Sequence, residues 1–92
     1  MNRQRLVETL TSEFGAEEGP ARTVARQAGD LADSGRLAGD AGYDLTDRVV
    51  LGNLGDAPHG YTLVERWNWW VGSLELAYGD TYRRFRVRPG VE

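Results

Sequence analysis

The sequence predicts a mainly α-helical fold, a small bundle of three or four helices with a C-terminal β-strand. Three observations lead to that class. Apolar residues recur at spacings of three and four in the first third of the chain and again from Val64 to Tyr78. Glycines that suit helix ends, and polar residues that suit helix starts, bracket those stretches. Near the C-terminus the period changes to strict alternation, with Arg83, Phe85 and Val87 on one side.

The first helix is expected over residues 3–14, where Leu6, Val7, Leu10 and Phe14 share one face and Gly15 supplies a left-handed stop. The second starts at Pro20, because proline lacks an N–H that would be unpaired in the first turn anyway. Its stripe is Ala21, Val24, Ala25, Ala28, Leu31 and Ala32, small enough for a neighbouring helix to approach closely, and Gly35 ends it. Residues 35–45, with Gly35, Gly39, Gly42, Asp40 and Asp44, read as a loop. Thr46 caps a short third helix with Val49, Val50 and Leu54 inward, although Val49–Leu51 also suits a strand.

The fourth helix, over 63–78, rests on Thr62-Leu63-Val64-Glu65. That tetrad matches a capping box, in which two side chains satisfy two loose backbone N–H groups. Val64, Trp67, Val71, Leu74 and Tyr78 follow on one face, flanked by Leu63 and Trp70. The alternative is an α+β fold, with N-terminal helices and a β-meander over 66–88 turning at Gly79-Asp80. In either case residues 81–88 are read as a strand whose backbone needs a partner. The expected core is Leu6, Leu10, Phe14, Val24, Ala28, Leu31, Val50, Leu54, Val64, Trp67, Val71, Leu74 and Phe85.

With 92 residues, a single domain over 1–92 is expected, and without cysteine neither a disulfide nor a thiolate metal site supports it. No run is long enough to span a bilayer, and Met1-Asn2-Arg3-Gln4-Arg5 precedes no apolar stretch, so the expected location is the cytoplasm. All 11 basic residues are arginine against 14 acidic ones, a net charge of −3 that speaks against a protein-wide nucleic-acid footprint. Four of those arginines, set against Glu92 alone, gather in residues 81–92.

No constellation for catalysis stands out, and no cofactor or metal site is expected. His59, the lone histidine, lies beside Asp56 in a Gly/Pro loop and reads as an exposed loop residue. No serine sits in a strand–turn–helix elbow that would make it a nucleophile. Asp40, Asp44 and Asp47 lack calcium-loop spacing, and Gly52-Asn53-Leu54-Gly55 lacks the context of a phosphate loop.

Two features remain. In the helical reading Trp69 points roughly 170° from the buried face, at 100° per residue. With Gly72 and Leu76 it forms an outer stripe suited to a partner, most simply another copy of the chain. The competing reading packs Trp69 beneath residues 35–45 or the C-terminal strand. The second feature is Arg83, Arg84, Arg86 and Arg88, candidate phosphate contacts that present a guanidinium face with Tyr82 beside it. Their bland alternative, and the favoured one, is pairing with the acidic body. The leading functional expectation is thus a non-enzymatic, self-associating or protein-binding module. The alternative is a small nucleic-acid-binding regulator.

The segment Glu65-Arg66-Trp67-Asn68-Trp69-Trp70-Val71-Gly72-Ser73-Leu74-Glu75-Leu76 resembles one in short uncharacterised proteins of salt-loving archaea. The absence of lysine and the acidic excess fit that setting. The resemblance covers the C-terminal third and implies no activity, substrate or site.

Overall fold

Helix starts and stops are set by local chemistry. In the computed structural model, which describes residues 1–88, Asn2 caps α1 (Arg3–Phe14) by accepting the Arg5 N–H at 2.9 Å. Gly15 and Gly35 end α1 and α2 (Glu18–Ser34) at φ of 63° and 67°, a region a Cβ disfavours. Pro20 lies in the first turn of α2 but two residues inside its start. The first intrahelical donor is Ala21 N–H, to Glu17 C=O, so the proline costs no bond there.

Residues 35–45, expected as loop, include a short helix, α3 (Arg36–Ala41), which buries Leu37. Gly39 and Asp40 fall inside it, so their loop-like composition misled. Thr46 caps α4 (Asp47–Gly55) through Val49 N–H, and Val50 and Leu54 are buried. Val49–Leu51 are therefore helical. Both halves of the predicted capping box form at the start of α5 (Leu63–Tyr78): Thr62 accepts from Glu65 N–H and Glu65 accepts from Thr62 N–H.

The expected C-terminal strand does not form, and neither does the β-meander. Among the described residues there is no strand. Asp80–Phe85 wind as a 3-10 helix, with Arg86 extended after it. A 3-10 helix has three residues per turn, which places Tyr82 and Phe85 on one buried face. The backbone after it finds partners in side chains of α5 instead of in a sheet.

α1 and α2 pack together through a three-residue connection, and Arg3 at the start of α1 pairs with Asp30 near the end of α2 at 3.2 Å. α5 lies against α2, α4 and the 3-10 helix. The resulting core includes every residue expected there except Phe14, which is half-buried at its rim. It also takes in Leu37, Leu63, Trp70, Tyr82 and Val87. Arg66 ties the base of α5 to its neighbours. It donates to Leu54 C=O at 2.9 Å and Tyr61 C=O at 3.1 Å, and its guanidinium lies 5.1 Å from the centre of the Phe14 ring.

Candidate interaction surface on helix α5

The run Trp67-Asn68-Trp69-Trp70 occupies a single turn of α5, so its four side chains leave the axis in different directions. Trp67 is fully buried. Its indole N–H donates to Phe85 C=O at 2.7 Å, and its ring meets that of Trp70 edge-on at 5.5 Å between centroids. Trp70 is 3% exposed. The Asn68 carboxamide grips one residue of the C-terminal segment from both sides. Its Nδ2 donates to Val87 C=O at 2.8 Å, while its Oδ1 accepts Val87 N–H at 2.8 Å. These bonds satisfy the backbone that a sheet partner was expected to satisfy.

Trp69 has no such task. It stays 38% exposed, and Arg86 of the C-terminal segment lines the same depression. Further along the same outer face, Leu76 is 92% exposed. Between them lies Gly72, where an added Cβ would stand 3.2 Å from Arg86 Nη2. Tyr61, Glu65, Asn68, Trp69, Gly72 and Arg86 line one shallow depression of about 390 Å³. Tryptophan, tyrosine and arginine are the residue types that dominate protein contacts energetically.

The C-terminal arginines are brought together. Arg83, Arg84, Arg86 and Arg88 line a single groove of about 650 Å³ with Asn68 and Val87. Two of them also pair with the body, as the bland reading held. Arg86 Nε and Arg83 Nε both donate to Glu75, the latter at 3.3 Å, and the Arg86 bond is the shorter. The Arg86 hydrogen bond, above all, holds the Glu75 carboxyl below its ordinary range. Arg84 lies over the Phe85 ring, 4.6 Å from its centre.

Tyr82 is not on the guanidinium face. It is fully buried, and its hydroxyl donates to Asp40 Oδ2 at 2.8 Å. Burial first, then the Asp40 hydrogen bond, pushes its phenol well above the usual tyrosine range. The three-residue spacing to Phe85 was the signal available for this placement. His59 lies on the exposed loop between α4 and α5. Ser34 and Ser73 donate their hydroxyls to Leu31 and Trp70 carbonyls. Among the described residues no helix is long and apolar enough to cross a membrane.

Residues 1–75 match the family model described as the WNWW domain. The chain belongs to the WNWW domain family. Its description repeats the letters of residues 67–70, so the family's own label falls on the run whose four side chains are divided between core, clamp and surface. The WNWW match ends before the clamped segment, while the residues that clamp it, Trp67 and Asn68, lie inside the match. Neither a search of curated proteins nor one of solved structures found a match.

Proposed function

We propose that this WNWW domain is a non-enzymatic interaction module that pairs with a second copy of itself through the outer face of α5, with Trp69, Gly72 and Leu76 at the contact. The observation that carries the reading is Trp69. Of the four residues in the run, it alone takes no part in core packing or in the clamp on the C-terminal segment.

The pattern along the face supports a like partner. Large Trp69 and Leu76 flank small Gly72 and Ser73, so the order of sizes is nearly the same read in either direction. A two-fold axis between residues 72 and 73 would set Trp69 of each copy against Leu76 of the other, with the Arg86 guanidinium beside Gly72 at the contact. Such a contact is isologous and closes at two copies. Each 100 Å² of apolar surface removed from water contributes about 2.5 kcal/mol, so an exposed indole and isobutyl group are the natural centre. The cysteine-free, acidic composition suits a cytoplasmic setting.

Sedimentation at micromolar concentration tests the reading. The expected result is a dimer mass for the wild-type chain and a monomer mass for Trp69→Ala and for Leu76→Glu, with helical circular dichroism retained. A wild-type chain that sediments as a monomer, or a Trp69→Ala variant of undiminished mass, overturns it.

A further inference from the structure

From the arginine groove we infer a second binding site, for the phosphates of a single-stranded nucleic acid, in which Glu75 positions two of the arginines. Its arginines lie on the 3-10 helix and the segment that follows; Arg86 also borders the depression beside Trp69 and Gly72, so the site is tested by affinity and not by mass.

Four arginines line one groove. The groove's geometry matters as much as its charge. Glu75 accepts from the Nε atoms of both Arg83 and Arg86. That leaves their terminal Nη groups as the donors remaining for a ligand, one of which, on Arg83, lies 3.9 Å from Asp80. A guanidinium held by its Nε edge has lost most of its rotamer freedom before a ligand arrives, so less entropy is lost on binding. Glu75 is only 9% exposed at its side chain, so the anchor sits beneath the arginines and not in the groove's mouth.

The arrangement favours a row of phosphates over one. Arg86 is extended, and Val87 is turned inward by the Asn68 clamp. Arg86 and Arg88 therefore recur along the groove at about 6 Å, the advance of two extended residues. This is of the same order as the step between phosphates of a flexible strand. Phosphate contact of this kind positions a strand without reading its bases.

Fluorescence anisotropy of a labelled oligothymidylate against the full chain tests the site. Binding is expected at low salt. The logarithm of affinity should fall against that of salt with a slope of about −2 to −3, for three or four contacts to a single strand. Arg84→Gln with Arg88→Gln replaces two exposed side chains and should flatten the slope by about 1.4. Glu75→Gln separates positioning from simple attraction. It makes the groove more positive, yet weaker binding is expected because Arg83 and Arg86 lose their anchor; tighter binding overturns the role given to Glu75. Absence of binding at low salt, an unchanged slope in the double variant, or stronger binding of a phosphoserine peptide of equal charge overturns the nucleic-acid site. None of these readouts depends on the mass of the wild-type chain, so this site and the paired-helix reading succeed or fail separately.

Discussion

Tyr82 shows how one residue can be read correctly as aromatic and incorrectly as surface. Strict alternation assigns it to the side of Arg84 and Arg86. A three-residue period assigns it to the side of Phe85, and the structure follows the second. Its hydroxyl then needs a partner, which Asp40 of α3 provides. The phenol has a raised pKa, so the folded chain holds that proton more tightly than the unfolded one. The associated stability is fully present below the unfolded value of about 10 and is lost as pH rises through and beyond it. Tyr82→Phe should cost about 1 kcal/mol at neutral pH, the worth of one hydrogen bond. Urea unfolding at neutral pH and above pH 10 checks both parts, because the gap between wild type and variant should narrow at the alkaline end.

At the scale of elements, much of the helical part was legible. α1 and α5 fall on the expected residues because each combines an apolar period with a local stop or cap. The thirteen expected core residues lie in or against the core for the same reason. What was not legible was how the last segment satisfies its backbone. Alternation over six residues is shared by a strand and by a short 3-10 helix followed by extended chain. The deciding interactions are long-range, from Trp67 and Asn68 to residues 18 and 19 positions away. α3 was hidden differently. Glycine and aspartate mark turns by composition, yet Leu37 buried against the core is enough to hold six residues in a helix. Of the candidate site, the outward direction of Trp69 and Leu76 followed from helical geometry alone. Strand alternation puts Arg83 opposite Arg84, Arg86 and Arg88, whereas the 3-10 helix and the extended chain after it bring all four to one groove. Glu75 as the common anchor of Arg83 and Arg86 was not legible, since no pattern in one chain reveals an ion pair across 8 and 11 positions. The Asn68 clamp gives a test at this scale. Asn68→Ala removes both bonds to Val87 and leaves a partly buried N–H and C=O unpaired, which should cost about 1–3 kcal/mol. Hydrogen exchange should show the loss first at the Val87 amide, with α1 and α2 little changed.

The whole molecule is small for its task. A chain this short buries a modest share of its surface and has no cysteine to staple it. It relies on large aromatic residues, and it places three tryptophans within one turn of a helix in different surroundings. Trp67 and Trp70 are shut away from water and Trp69 is not. The chain therefore carries its own optical reporter at the proposed contact. Acrylamide should quench one emission component readily and leave the shorter-wavelength remainder almost untouched. If the helices pair as proposed, raising the protein concentration should shield that component as well, and Trp69→Phe should delete it while sparing the rest.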